Sequence, residues 1–156
     1  MPLTFRLARP EEYNALESFT IDAFGPITWL RTADVTFGPL NGLDWRQRWQ
    51  RRFRKVFDEQ IVLVGEAEGE VVALATGTID RDALLGYIDL LAVHSNHHRK
   101  GYGREMLRGM LAHMKSEGAV HAHLECLATN AAGNALYASE GWTEVARSLR
   151  WFVKIP

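Results

Sequence analysis

Leu91-Ala92-Val93-His94-Ser95-Asn96-His97-His98-Arg99-Lys100-Gly101-Tyr102-Gly103-Arg104 is the stretch on which the reading of this chain turns. An apolar run of strand type passes into a short polar loop, and two glycines then open an amphipathic helix. Such an arrangement aims backbone N–H groups at one spot, where the positive end of the helix dipole adds to them. Glycine suits that spot because a side chain would block the close approach of a phosphate. Arg99, Lys100 and Arg104 bring mobile positive charge to the same place. A dinucleotide-binding fingerprint needs a third glycine, and Met106 stands there instead; a nucleotide P-loop needs Gly-Lys followed by Ser or Thr, which is absent.

Reading outward, the helix extends from Gly101 to Glu117, with Met106, Leu107, Met110, Leu111 and Met114 on one face and Gly118 as its stop. Tyr87–Val93 before it and Ala122–Leu127 after it read as strands. Asn130–Glu140 reads as a short helix ended by Gly141, and Arg147–Ile155 as a closing strand. Upstream, Ile61–Gly65 and Val71–Ala75 form a hairpin around the turn Glu66–Glu70. From Leu43 to Asp58 the pattern is helical, because Trp45, Trp49, Phe53 and Phe57 recur every four residues. Arg46, Arg48, Arg51, Arg52, Arg54 and Lys55 fill its other positions, either as a solvated face or as an anion-attracting rim. The chain opens with a strand at Leu3–Leu7 and a helix from Pro10 to Phe24. Residues 25–42, punctuated by Gly25, Pro26, Gly38, Pro39 and Gly42, read as a loop; its apolar members imply that it packs over something.

A length of 156 residues with 47% apolar residues predicts a single domain over residues 1–156 with a packed core. The net charge of −1 gives no global pull toward nucleic acid or anionic membrane, and neither is expected as a partner. Cys126 is the single cysteine, which excludes an internal disulfide and a cysteine-cluster metal site. With no signal-peptide pattern and no long apolar run, a cytoplasmic location is expected. His94, His97 and His98 cluster in a loop without the helical spacing of a zinc site, so no metal is expected.

The segment His98-Arg99-Lys100-Gly101-Tyr102-Gly103 resembles the pyrophosphate loop of the GNAT superfamily of N-acetyltransferases, [QR]-x-x-G-x-[GA], with His98 at the Gln/Arg position. Asn130-Ala131-Ala132-Gly133-Asn134-Ala135-Leu136-Tyr137-Ala138-Ser139-Glu140-Gly141-Trp142 is similar to the family's second motif, with Gly133 where alanine is usual. The two stand in the family's order and at its typical distance. The resemblance covers about Tyr87 to Val145, is weaker over Leu3–Phe24, and leaves residues 25–60 without a counterpart.

That resemblance implies an α/β (α+β) fold: a mixed, mostly antiparallel sheet flanked by helices, whose fourth and fifth strands splay apart around the thioester arm of acetyl-CoA. It implies acetyl-CoA as cosubstrate and direct transfer of the acetyl group to a primary amine. Leu91, Ala92 and Val93 would line the cosubstrate, with the Val93 N–H on the thioester carbonyl. His98, Arg99, Lys100, Gly101, Tyr102, Gly103 and Arg104 would hold its pyrophosphate, and Asn130 and Asn134 would approach the pantetheine arm, although asparagine at position 130 would equally cap a helix. Tyr137 is implied as the acid facing the sulfur.

The amine must lose a proton before it attacks, which calls for a base. The resemblance offers Glu125, at the spacing of the base in similar ribosomal-protein alanine N-acetyltransferases, and Asp89, where serotonin N-acetyltransferases carry a catalytic histidine; strand alternation would place Tyr87, Asp89, Leu91 and Val93 on one face. The acceptor would meet Trp29, Phe37 and Trp45 from the segment over the other side of the sheet. Its identity stays open between a small metabolite, an antibiotic, a peptide N-terminus and a protein lysine, as does homodimerisation. The competing reading is a non-catalytic acetyl-CoA sensor on the same fold.

Overall fold

The computed structural model describes residues 2–156. Strand β1 (Thr4–Leu7) leads through a 3-10 turn at Pro10–Glu12 into helix α1 (Tyr13–Phe24). Helices α2 (Trp29–Phe37) and α3 (Trp45–Glu59) follow, then strands β2 (Ile61–Ala67), β3 (Glu70–Asp80) and β4 (Leu85–Val93). A 3-10 turn at Ser95–His97 precedes helix α4 (Tyr102–Ser116), strand β5 (His121–His123) and helix α5 (Ala131–Ser139). The sheet runs β1-β2-β3-β4-β5. Its first three pairings are antiparallel, and β4 with β5 is parallel.

Local chemistry accounts for these elements. The β2–β3 turn places Glu68 at φ 54° and Gly69 at φ 81°. Positive φ at both central residues suits a two-residue hairpin turn, and it pairs Ala67 with Glu70. Asp44 caps α3 by accepting from the Gln47 N–H at 2.8 Å, and the Gln47 side chain returns to the Asp44 N–H at 3.0 Å.

Two apolar layers sandwich the sheet. On one face α4 buries Met106, Leu107, Met110 and Met114 against Leu63, Ala73, Ala75 and Ile88. On the other, α1, α2 and α3 bury Leu16, Phe19, Leu30, Trp49 and Phe53 against Val62, Val64, Leu74, Leu90 and Ala92. The aromatic stripe of α3 is therefore core, and much of its basic face pairs with neighbouring acids: Arg46 with Asp22, Arg48 with Asp34, Arg52 with Asp89 and Arg54 with Asp58.

The structure departs from the sequence reading in several elements. The hairpin turn is Glu68–Gly69 rather than Glu66–Glu70, and β3 continues past Ala75 to Asp80. Residues 29–37 are helical rather than a loop. Thr28 caps α2 by accepting from the Leu30 N–H at 3.3 Å, Leu30 and Ala33 are buried, and Gly38 ends the helix at φ 71°. The 9 residues of α2 make about two and a half turns between Pro26 and Gly38.

The expected strand at Ala122–Leu127 is paired only over His121–His123. Beyond it, exposure still alternates through Leu127, so the strand pattern outlasts the ladder. The expected closing strand at Arg147–Ile155 is unpaired. Phe152 packs on Phe37 with ring centroids 4.7 Å apart, and the Arg150 guanidinium lies 4.3 Å above Trp29, while Val145, Leu149, Trp151, Val153 and Ile155 remain exposed. An alternating apolar pattern becomes a strand only where a neighbour offers hydrogen bonds, and no other strand does so here.

Phe53 is completely buried beneath the sheet. Phe53→Ala is expected to destabilise the fold by about 3–5 kcal/mol, read as a lower urea midpoint at unchanged slope.

Candidate active site

The site is organised by one irregularity in β4. Thr76 pairs with Leu90 and Gly77 with Ile88, which leaves Asp89 as an extra, bulged residue. A bulge resets the alternation of the pleat. Ile88 faces α4 and Leu90 faces α3, while Leu91 and Val93 pack toward α4 again. Asp89 turns to α3, where its Oδ1 accepts from Arg52 Nη2 at 2.7 Å and its Oδ2 from Gln60 Nε2 at 2.9 Å. Tyr87, Asp89, Leu91 and Val93 thus do not share one face; the bulge divides them between the two sides. Gly77 lets the strands come this close, since a Cβ there would stand 2.2 Å from the Tyr87 carbonyl oxygen.

Just at this bulge β4 and β5 part. Their last pair is Tyr87 with His123, and the β5-facing edge of β4 from Ile88 onward meets no strand. The N–H groups on that edge can be identified. The His94 N–H donates to Val72 O at 2.8 Å, toward β3. By alternation, the Val93 N–H points the other way, into the opening. Leu91 repeats the orientation two residues earlier, and Ala92 is buried between them against the α1–α3 layer.

The loop after β4 delivers the helix terminus to the same opening. Arg99 at φ 64° and Gly101 at φ 79° turn the chain, and Gly101 caps α4 without a side-chain hydrogen bond. The first N–H groups of α4, from Tyr102, Gly103 and Arg104, are therefore left for another acceptor. A Cβ on Gly103 would lie 3.8 Å from Val93 and 3.9 Å from Leu136, an ordinary contact. The space beside Gly103 is thus the mouth between β4 and α5, and the protein's own packing does not demand glycine there.

The side chains of this loop are partly engaged. His98 Nε2 meets the Val93 carbonyl oxygen at 3.0 Å, and Lys100 Nζ lies 3.4 Å from His97 Nδ1. Arg104 pairs with Glu140, which Arg108 also holds at 2.7 Å. Backbone groups and the Arg99 and Lys100 ammonium and guanidinium charges are what the loop presents outward. Such a terminus fits a pyrophosphate.

Across the opening stands α5. Asn130 caps it, its Oδ1 accepting from the Gly133 N–H at 3.1 Å. Asn134 Nδ2 donates to the carbonyls of Leu127 at 2.9 Å and Asn130 at 3.0 Å, fixing the end of the β5 segment to the helix. Tyr137 packs beside Trp142 and against the α4 layer. Burial, with a smaller contribution from Cys126, pushes its phenol up to about 12. None of the described hydrogen bonds engages its hydroxyl. Cys126 is half-buried and burial raises its thiol, which suits a packed residue rather than a nucleophile.

Glu125 is exposed, two residues past the last β5 pair, and has no ion-pair partner among the described residues. Trp29 and Phe37 occupy opposite ends of α2 and are bridged by the C-terminal segment, whereas Trp45 packs in the α1–α3 layer near Gly25. Sequence reasoning missed Arg52, Gln60, Arg150 and Phe152. The basic face of α3 was a signal for Arg52; the others lie far along the chain from what they touch. No cluster of metal-ligating side chains occurs among the described residues, and no helix is long and apolar enough to cross a membrane.

A mixed sheet with parting parallel strands and an uncapped helix terminus at the gap defines an acyltransferase-like scaffold. The profile of the Acetyltransferase (GNAT) family matches residues 28–142, and the chain belongs to that family. A ribosomal-protein-alanine N-acetyltransferase from Brucella melitensis is similar at 27% identity and a TM-score of 0.65, over 92% of this chain and 86% of that one. The ribosomal-protein-S18-alanine N-acetyltransferase of Escherichia coli aligns at 19% identity and a TM-score of 0.67, over 92% and 79%. An aminoglycoside N-acetyltransferase, AAC(6')-Iy, in complex with CoA shares 9% identity and a TM-score of 0.68, over 98% and 95%. The last two speak to the fold alone. No curated protein matches the chain by sequence.

Gly103→Leu is expected to leave the melting temperature of the free protein within a few degrees, because the added side chain enters the mouth rather than the core. It should abolish the stabilisation that added CoA gives the wild-type chain; retention of that shift would place the phosphate site elsewhere.

Proposed function

We propose that the chain, acting as one domain, transfers an acetyl group from acetyl-CoA directly to a primary amine. The observation that carries this is the uncapped α4 terminus opening onto the gap between β4 and β5. The N–H groups of Tyr102, Gly103 and Arg104 bind the pyrophosphate, aided by Arg99 and Lys100. The pantetheine arm lies along the free edge of β4, beside Leu91, Ala92 and Val93, and against α5 where Asn130 and Asn134 set the wall. The Val93 N–H donates to the thioester oxygen and steadies the negative charge that grows there.

Glu125 takes the proton from the amine, directly or through water. Asp89 is the weaker candidate, because both its oxygens already accept hydrogen bonds from Arg52 and Gln60. Tyr137 donates to the departing sulfur. A phenol pushed up to about 12 is a poorer acid than an ordinary thiol, so outright proton transfer to the thiolate is uphill. Tyr137 therefore acts as a hydrogen-bond donor: the ammonium proton leaves through Glu125 before attack, and the second proton, shed by the nitrogen after attack, ends on the CoA sulfur. Trp29 and Phe37, with Arg150 and Phe152 over them, form the acceptor side, which Trp45 supports from below.

Acetyl-CoA at about 100 times its Kd should raise the melting temperature by roughly 5–10 °C. Mixed amines should then release CoA thiol, and absence of both effects would refute the assignment. Tyr137→Phe is expected to lower kcat by about 10² or more at similar acetyl-CoA affinity. Glu125→Gln should cost more turnover than Asp89→Asn, with a deficit that narrows as alkaline pH supplies free amine. Since the Tyr137 phenol sits at about 12, wild-type kcat should climb with pH as the amine deprotonates and show no fall from Tyr137 ionisation below about pH 11.

A further inference from the structure

Glu140 closes helix α5, and it stands at the wrong end for a carboxylate. Its N–H donates to the Leu136 and Tyr137 carbonyls at 3.0 and 3.1 Å, so it caps the turn that carries Tyr137. The carbonyl end of a helix repels an anion. On α4 the charges are equally misplaced. Arg104 is a cation in the first turn, where the dipole is positive, and Arg108 repeats the charge four residues on. One carboxylate answers all three. Glu140 Oε1 pairs with Arg104 and accepts from Arg108 Nη2 at 2.9 Å, while its Oε2 accepts from Arg108 Nε at 2.7 Å. Arg108 first, then Arg104, hold its carboxyl below the usual range, and its side chain is only 11% exposed. Three local misplacements resolved by one long-range contact point to a role beyond helix stability.

The element that this contact holds is the one carrying Tyr137. Helix α5 has no fully buried residue; Leu136 and Tyr137 pack at the edge of the α4 layer. Asn134 ties its first turns to the Leu127 carbonyl, at the end remote from Glu140. Among the described residues, no hydrogen bond other than those of Glu140 joins α5 to α4. Arg104 makes the path short. Its N–H is one of the three at the open terminus of α4, and its guanidinium is on Glu140. A single residue thus touches both the phosphate site and the turn beneath Tyr137, whose hydroxyl is free to donate.

We infer that Glu140 is a positioning residue: by clamping Arg104 and Arg108 to the last turn of α5, it sets the Tyr137 hydroxyl against the sulfur of a cosubstrate held at the α4 terminus. This rests on the acetyl-transfer reading above, with Tyr137 as donor. The Arg104 side chain then serves the clamp, and the pyrophosphate is left to main-chain N–H groups and to Arg99 and Lys100.

The test uses CoA itself as the probe, so it needs no acceptor. Ionisation of the bound thiol is followed by the ultraviolet absorbance of its thiolate, as the difference between complex and free protein. A hydroxyl that donates to sulfur favours the thiolate. Tyr137→Phe should therefore make the bound thiol a weaker acid, by about tenfold in its dissociation constant. Glu140→Gln should shift it in the same direction by about threefold or more, and should add nothing in the Tyr137→Phe background. The CoA affinity of Glu140→Gln should stay within about threefold of wild type. Arg108→Met removes two of the three hydrogen bonds on Glu140 from an exposed position, and it serves where Glu140→Gln does not fold; its shift should have the same sign. A wild-type thiol titration in folded Glu140→Gln or Arg108→Met, or additive shifts in the double variant, overturns the inference. So does loss of CoA binding in folded Glu140→Gln, or a Tyr137→Phe protein that titrates as wild type. A wild-type protein that CoA does not stabilise against heat overturns the acetyl-transfer reading instead.

Discussion

Everything at the site depends on β4 holding one residue more than β3 allows it. With Asp89 looped out between Ile88 and Leu90, the strand twists and its β5-side edge leaves the ladder. Without that extra residue, β5 would continue alongside β4 and consume the N–H groups of Leu91 and Val93 in ordinary pairing. The cost of an unpaired edge is held down by how few residues carry it and by the layers that cover both faces. Arg52 and Gln60 fix the bulged carboxylate to α3, so the irregularity is braced from outside the sheet.

That brace joins the two halves of the molecule. On the α4 side lie the loop and helix terminus suited to phosphate; on the α3 side lie Trp29, Trp49 and the C-terminal segment. Trp49 connects them: its indole N–H donates to Thr28 Oγ1 at 2.8 Å, and the Arg52 guanidinium lies 4.7 Å over its ring. A chain of contacts thus runs from Thr28 through Trp49 and Arg52 to Asp89. The basic residues of α3 look like a surface feature when counted, but much of their charge is spent locally.

The sequence disclosed what is local. Periodicity found α1, α3, α4 and α5, and β2 to β4, because each has its apolar residues at the spacing of its own element. Gly101 and Gly103 disclosed the helix terminus, because backbone conformation and ligand access both write themselves as glycine. The α2 helix escaped since its Gly and Pro neighbours read as loop, although Thr28 followed by Leu30, Ala33 and Phe37 carried a cap and a face. The bulge was not legible: nothing in Tyr87-Ile88-Asp89-Leu90 says that Thr76 and Gly77 will skip a residue opposite it. The ends of β5 and the C-terminal segment escaped for the related reason that pairing belongs to two strands, and only one of them is in view when a pattern is read.

The α4 terminus presents main-chain groups, and main-chain groups are the same whatever the side chain. The turn that delivers them is made by Arg99 and Gly101 at φ 64° and 79°. The same independence of backbone from side chain runs through the whole scaffold, which superimposes on AAC(6')-Iy at a TM-score of 0.68 with 9% of residues in common. In such a scaffold the path of the chain is shared where its alphabet is not.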